Sequence, residues 1–231
     1  MTQPHTMTEA LAQLPKPRAI IFDWDDTIVD NWPLALEALN AALVHMGVAA
    51  WSDAEARGRA GGSARDLFGG LFGDKWEEAD KVFYATFNKL VENGVRLHDQ
   101  VEDMLRLLSQ NGVYLAVVSN KRGPLLRKEA DRIAFNGYFN AIVGAGDAAK
   151  DKPDIAPVLH ALKGSGIAPG PDVWFVGDSH TDMACAIASG CTGVLLETKL
   201  PPDEMLAKFP PTARFQTHAK FMEYIRPYFT R

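Results

Sequence analysis

Short apolar, β-branched runs alternate with segments of helical spacing along most of the chain. The four clearest runs cover residues 18–22, 113–120, 141–146 and 172–178. Such alternation is typical of a parallel sheet that is covered by helices on both faces. The pattern therefore predicts an α/β fold, followed by a possible short strand at 213–216 and a closing helix over 218–229.

The segment between the first two runs is too long for an ordinary connection. Residues 33–96 contain two helical patterns, the first of which begins at Pro33, and no convincing strand. A crossover between parallel strands is normally much shorter, so we predict an inserted all-helical cap domain over 33–96. The remaining residues, 1–32 and 97–231, then form an α/β catalytic core domain.

Composition and charge restrict the partners of the protein. The 231 residues are 47% hydrophobic and 23% charged, with a formal net charge of −5. No stretch approaches the roughly 18 apolar residues of a membrane span, and no basic cluster suits a nucleic acid backbone. We therefore expect neither a membrane nor a nucleic acid partner, and the sequence leaves monomer and homodimer open.

The N-terminal residues and the cysteines bear on the compartment. The beginning of the chain has no basic segment followed by an apolar run, so we expect no secretory signal. Cys185 and Cys191 are the only cysteines, and a disulfide between them would close a very short loop. We interpret both as reduced packing residues, which favours a cytoplasmic protein.

Carboxylates are crowded directly after the first apolar run. The stretch AIIFDWDDTIVDN places Asp23, Asp25, Asp26 and Asp30 close together in the chain. Neighbouring carboxylates oppose joint ionisation unless solvent or a cation stabilises them. We predict a divalent cation here, because oxygen ligands bind such an ion and keep a nucleophilic carboxylate ionised.

Polar residues also end two of the other runs. Ser119 and Asn120 close the second run, and Asp178 closes the fourth. Ligands of open α/β sheets bind outside the carboxyl ends of the strands, so these side chains and Asp23 are expected to converge there.

Four motifs occur in the order that one enzyme family shows. They are DWDDT, VVSN, KDKPD and GDSHTD, and together they resemble the motifs of the haloacid dehalogenase superfamily over residues 18–197. The resemblance implies a Rossmann-like parallel sheet with a helical cap, as in the phosphoglycolate phosphatase branch. It also implies a Mg²⁺-dependent hydrolase that releases phosphate from a small phosphorylated metabolite through an aspartyl-phosphate.

The resemblance assigns roles within the first motif. It makes Asp23 the nucleophile and a metal ligand, and Asp25 the general acid and base, with its backbone carbonyl facing the metal. Acid–base assistance of this kind is usually worth about 100- to 10,000-fold in rate. Thr27 is assigned to substrate binding. Asp26 stands where relatives commonly carry glycine, which suggests an exposed turn carboxylate.

The later motifs complete the implied site. Ser119 and Asn120 are expected to contact the phosphate, Lys152 to place a positive charge beside Asp23, and Asp178 to bind the metal directly. Asp182 is assigned to the metal shell, acting through water or Lys152. The alternative for Asp182 is an N-cap of the helix that follows it.

Substrate choice is expected to depend on the cap. Arg57, Arg59 and Arg65 surround glycines in RGRAGGSARD, and Arg65 is our candidate for a contact with a second anionic group of the substrate. The alternative is an ordinary exposed arginine.

Two other functions remain open on the sequence. A sugar phosphomutase of the β-phosphoglucomutase type shares the metal, the nucleophile and the acid–base residue, although its relatives typically have valine where Thr27 stands. A non-catalytic phosphate-binding protein is the second alternative. Dehalogenation is disfavoured because dehalogenases lack a carboxylic acid at the Asp25 position, and phosphonate hydrolysis because the cap lysines lie in charged surroundings.

Overall fold

The structure is a computed structural model. It describes residues 14–59, 64–92, 94–135, 137–198 and 203–230, apart from the side chains of 64–66 and 203. The chain divides into two compact units. One unit combines Met1–Asp30 with Leu97–Arg231, and the other is Asn31–Arg96. The second unit corresponds closely in extent to the segment that we expected to be an insertion.

The first unit contains a six-stranded sheet in which all neighbouring strands are parallel. The strands are β1 (Ala19–Phe22), β2 (Tyr114–Arg122), β3 (Ala141–Ala145), β4 (Val173–Gly177), β5 (Thr192–Leu196) and β6 (Ala213–Phe215). Their spatial order is β3-β2-β1-β4-β5-β6. Ile21 of β1 is in register with Ala116 of β2 and Phe175 of β4, so these three strands end at the same edge. The predicted fold class is confirmed.

Helices follow the strands of this unit. In the order of the chain they are α5 (Val101–Gln110), α6 (Gly123–Arg132), α7 (Ala156–Ala161), α8 (His180–Ser189), α9 (Asp203–Lys208) and α10 (His218–Ile225), and a 3₁₀ turn covers Arg226–Tyr228. Four further helices, α1 to α4, lie between β1 and α5 in the chain and belong to the other unit.

Both faces of the sheet are covered, because successive residues of a strand point to opposite sides. On one face Phe175 belongs to a core cluster with Val158 of α7 and Cys185 of α8. On the other face its neighbour Trp174 contacts Phe221 of α10, with ring centroids 6.4 Å apart. Burial on both sides explains why these strands read as continuous apolar runs and not as alternating ones.

The helical unit is built from α1 (Trp32–His45), α2 (Asp53–Arg59), α3 (Ala64–Phe72), a 3₁₀ turn (Gly73–Lys75) and α4 (Trp76–Val91). The predicted helices that begin at Pro33 and near residue 74 correspond to α1 and α4. Its core includes Leu39, Leu43 and Phe68. The indole N–H of Trp32 donates to Asp53 at 2.6 Å, which ties the start of α1 to α2.

The described part of the chain holds both cysteines as buried thiols. Burial raises the pKa of Cys185 to about 12, which keeps this thiol protonated and unreactive. Within the same described residues, no helix combines the length and the apolar character needed to cross a membrane.

A buried histidine gives this fold a testable pH dependence. His218 is 5% exposed, and its Nε2–H donates to the backbone carbonyl of Thr27 at 2.7 Å. Burial is the largest influence on the pKa of His218 and lowers it. The hydrogen bond to the Thr27 carbonyl raises this pKa, and the stacked His98 lowers it. The resulting pKa of His218 is about 4. The unfolded chain therefore binds a proton at higher pH than the folded one, and acid favours unfolding.

We expect the stabilisation by neutral His218 to be complete above about pH 6.5 and lost as the pH falls toward about 4. Because one pKa unit corresponds to about 1.4 kcal/mol, neutral His218 can contribute at most roughly 3 kcal/mol to the free energy of unfolding. Urea unfolding of wild type and of His218→Gln between about pH 7.5 and about pH 4.5 measures this contribution. The other titrating groups cancel when the free energies of unfolding of the two proteins are subtracted. Parallel pH profiles for the two proteins would contradict the prediction.

Candidate active site

The carboxyl edge of the sheet collects the predicted polar residues of the first unit. Asp23 directly follows β1, Asp178 directly follows β4, and Ser119 and Asn120 lie near the end of β2. Asp23, Ser119 and Asp178 are buried, with 8%, 5% and 4% exposure. Burial of charged groups requires partners, so the contacts of these side chains decide what the site can do.

One lysine joins two buried carboxylates. The Lys152 ammonium lies 2.7 Å from Asp23 Oδ1 and 2.6 Å from Asp182 Oδ1, and its side chain is 3% exposed. The sequence placed Lys152 beside Asp23, and the structure brings them together. Charge-assisted hydrogen bonds of this kind are about twice as strong as neutral ones and fix the direction of the Asp23 carboxylate.

Burial and charge both affect the pKa of Asp23. Burial is the largest influence and raises it, the Lys152 ammonium lowers it, and the nearby Asp182 carboxylate raises it again, to about 7 overall. For Lys152, burial lowers the pKa but Asp182 and Asp23 together raise it above its ordinary value. The lysine therefore stays charged, and a second cation bound beside Asp23 would lower the pKa of its carboxyl group.

The acidic residues present a set of oxygen ligands. Single carboxylate oxygens of Asp23, Asp178 and Asp182 all lie within 4.8 Å of one another, and all three residues are buried. Thr27 Oγ donates to Asp178 Oδ1 at 3.3 Å, which helps to orient this carboxylate. Clustered, buried carboxylates are the ligands that Mg²⁺ prefers, so the donor set fits this ion.

The alternative that Asp182 is the N-cap of α8 is wrong, because Asp182 lies inside the first turn, where it contacts both the N-cap residue and Lys152. Its Oδ2 accepts from the backbone N–H and the hydroxyl of Ser179, while its Oδ1 accepts from Lys152. Ser179 is the N-cap of α8, and Asp182 completes a capping box with it. Because protein donors engage both oxygens, this arrangement favours the supporting role of Asp182 over a direct metal contact.

Gly177 is required by this packing. A Cβ atom at residue 177 would overlap the carboxyl group of Asp182. The absence of a side chain at Gly177 lets the Asp182 carboxyl group approach the backbone closely.

The residues after β2 carry a second set of contacts. Asn120 pairs with the backbone of Lys152: its Nδ2 donates to the Lys152 carbonyl at 3.1 Å, and its Oδ1 accepts from the Lys152 N–H at 3.0 Å. Asn120 therefore positions Lys152, whereas its contact with a substrate phosphate stays a prediction. Ser119 Oγ accepts from the backbone N–H of Lys121 at 3.2 Å, which leaves its own hydroxyl hydrogen to donate.

Asp25 has a partner that the motifs did not indicate. Its Oδ1 lies 2.8 Å from the ammonium of Lys121, which also contacts Glu129. The sequence contains one indication that Lys121 lies near the site, because this residue follows the serine and asparagine of the VVSN motif. It contains none for Glu129, because an acidic residue on a helix is usually exposed.

Two other expectations concern residues around the site. Asp26 has a φ of 58°, a left-handed conformation that explains why glycine suits this position. Arg57 stacks on Trp32 and Arg59 on Trp51, so both contribute to packing inside the helical unit. The side chain of Arg65 lies outside the described residues, and its contact with substrate stays a prediction.

A parallel sheet whose carboxyl edge gathers carboxylates around a buried lysine suits an α/β enzyme of the hydrolytic or phosphoryl-transfer class. The family model for haloacid dehalogenase-like hydrolases matches residues 20–196. The chain belongs to this family, and the resemblance drawn from its motifs is confirmed.

Individual relatives agree with this assignment. The chain is 31% identical over 182 residues to a phosphoglycolate phosphatase of Yersinia pestis, covering 75% of this chain and 78% of that protein. It is 32% identical over 187 residues to phosphoglycolate phosphatase 1 of Pseudomonas aeruginosa, covering 75% and 67%. The predicted enzyme class, a phosphoric monoester hydrolase, is thereby confirmed.

A solved structure supports the fold. The haloacid dehalogenase-like family hydrolase of Streptococcus pneumoniae aligns with a TM-score of 0.78 and 22% identity, covering 89% of this chain and 97% of that one. At this identity the likeness concerns the fold alone.

Proposed function

We propose that this protein is a Mg²⁺-dependent phosphatase that hydrolyses a small phosphomonoester through a phosphorylated Asp23. The observation that carries the proposal is the buried cluster at the edge of the sheet, where Lys152 bridges Asp23 and Asp182 and Asp178 lies within the same ligand set. A carboxylate held in one orientation beside a fixed positive charge is suited to attack phosphorus and to stabilise the charge that develops on the phosphoryl oxygens.

The chain supplies groups for two half-reactions. In the first, an Asp23 oxygen forms a bond to phosphorus, the ester P–O bond breaks, and protonated Asp25 gives its proton to the departing alkoxide. In the second, Asp25 takes a proton from water, the water oxygen bonds to phosphorus, and the Asp23–phosphorus bond breaks to release inorganic phosphate. Ser119 and Lys152 hold the phosphoryl oxygens during both steps.

The residues that would hold Mg²⁺ are Asp23 and Asp178 through their carboxylates and Asp25 through its backbone carbonyl, with Asp182 in support. When bound, the ion neutralises charge between the attacking carboxylate and the phosphoryl oxygens. Thr27 orients Asp178 through its hydrogen bond of 3.3 Å.

The names of the curated relatives favour 2-phosphoglycolate as the first substrate to test. We assign the choice of substrate to the helical unit Asn31–Arg96 as a cap. This assignment includes the predicted contact of Arg65.

A screen of phosphorylated metabolites with and without Mg²⁺ tests the proposal. We expect release of inorganic phosphate from small esters, its loss with a chelator and its return with added Mg²⁺. A bisphosphate primer added to a hexose monophosphate separates the alternatives. Isomerisation without net phosphate release would identify a phosphomutase, and no turnover across the panel would identify a non-catalytic protein.

A further inference from the structure

The partner of Asp25 belongs to a closed chain of contacts behind the site. The indole N–H of Trp24 donates to Glu129 Oε2 at 2.8 Å. The ammonium of Lys121 lies 2.8 Å from Glu129 Oε1 and 2.6 Å from Oε2, and 2.8 Å from Asp25 Oδ1. The chain of contacts thus begins at Trp24 and returns to the adjacent residue, Asp25.

Burial makes the chain of contacts rigid at the end formed by Trp24, Glu129 and Lys121. The side chains of Lys121 and Glu129 are 8% and 4% exposed, and Trp24 is fully buried. The side chain of Asp25, by contrast, is 36% exposed. A partly exposed carboxylate has several accessible rotamers, so a fixed cation at hydrogen-bond distance selects one of them.

The charge of Lys121 supports the same role. Its ammonium lies 2.8 Å from Asp25 Oδ1 and 2.6 Å from Glu129 Oε2, so one cation lies between two carboxylates. A buried ion pair contributes little net stability compared with apolar packing, so the specific geometry is the more informative feature. The geometry directs the cation of Lys121 at Asp25.

We propose that Lys121 and Glu129 are positioning residues for Asp25, with Trp24 fixing Glu129 in turn. This inference rests on the proposed function, because it takes Asp25 as the acid that protonates the departing oxygen. Lys121 holds the Asp25 carboxyl group in the orientation that meets the leaving group, and Glu129 prevents the lysine from turning away.

Leaving-group dependence separates this role from a structural one. An alkyl phosphate needs a proton on its departing oxygen, whereas 4-nitrophenyl phosphate loses a stable phenolate without one. The ratio kcat/KM reports the steps up to departure of this group. We therefore expect Lys121→Met to lower kcat/KM for 2-phosphoglycolate by roughly 10- to 100-fold, within the range of acid–base catalysis, and to change the aryl substrate by less than about threefold.

The double variant Lys121→Met with Glu129→Gln controls for stability. Removal of both charges leaves no unpaired buried ion, and the amide oxygen introduced by Glu129→Gln still accepts from the Trp24 indole. We expect the thermal stability lost in Lys121→Met to return in the double variant, while the selective defect on the alkyl substrate persists. Recovery of alkyl turnover together with stability would show a structural role and overturn the proposal.

Two further variants complete the design. Lys220→Met removes an exposed ion pair with Glu223 and should behave as wild type on both substrates. Asp25→Asn should show the same selectivity with a larger loss, at least about 100-fold. If Asp25→Asn has no effect, the acid–base assignment fails and this inference with it. If Asp25→Asn is selective but Lys121→Met is not, only the positioning role is refuted.

Discussion

Replacement of Asp23 by asparagine is expected to abolish turnover. An amide of the same shape fits the site but cannot form the acyl-phosphate bond, and it also lacks the charge that the proposed Mg²⁺ site requires. Folding should be retained, because Lys152 keeps its contact with Asp182 at 2.6 Å. Phosphate release falls below detection, and phosphorylated protein no longer accumulates in acid-quenched mixtures examined by mass spectrometry.

A matched control for this variant is Asp103→Asn. Asp103 is a carboxylate of α5 whose side chain is 61% exposed and whose partner Arg106 lies 3.5 Å away. The Asp103→Asn variant should retain wild-type turnover and a normal yield of phosphorylated protein. Substantial phosphate release by Asp23→Asn would remove Asp23 from the role of nucleophile and require another acceptor.

Replacement of Lys152 by methionine is expected to impair both turnover and stability. The side chain of Lys152 is 3% exposed, and its loss leaves Asp23 and Asp182 buried without their shared cation. Breaking a buried ion pair by removing one partner costs about 3–5 kcal/mol. We expect a decrease of this size in the free energy of unfolding from urea titration at neutral pH, together with loss of phosphate release.

Lys150→Met is the matched control, since Lys150 lies two positions earlier, is 72% exposed and pairs with Asp154 at 3.2 Å. Exposed pairs contribute about 0 to 1 kcal/mol, so this variant should be close to wild type in stability and rate. A Lys152→Met protein as stable and as active as the control would show that Lys152 does not hold the two carboxylates.

The strands and the residues at their ends were predictable from two features of the sequence. These are the spacing of apolar residues and the place of a polar residue directly after an apolar run. A buried parallel strand leaves a continuous apolar run, and the residue that follows it lies at the carboxyl edge of the sheet. Asp23 and Asp178 could therefore be placed together from the sequence alone. The end of β2 was less certain: the expected strand stopped at Asn120, whereas the observed one continues to Arg122 and includes Lys121.

The Asp25 network was not predictable for a physical reason. Trp24 lies just beyond β1, between Asp23 and Asp25, and its indole N–H gives no pattern in the sequence. Glu129 lies on α6, where the packing of the helix against the sheet decides whether a carboxylate faces solvent or the interior. Such a contact depends on tertiary geometry and not on local periodicity.

The dual engagement of Asp182 links the site to the local unfolding of one helix. The same carboxyl group completes the capping box of α8 and pairs with Lys152, so fraying of the first helical turn also releases a counter-ion of that lysine. Amide hydrogen exchange at the start of α8 is therefore expected to report how often Lys152 loses this partner. Substitutions that weaken only this helix cap are therefore expected to lower the fraction of molecules in which Lys152 keeps Asp182 as its partner. This effect needs no contact between the substituted residue and a substrate.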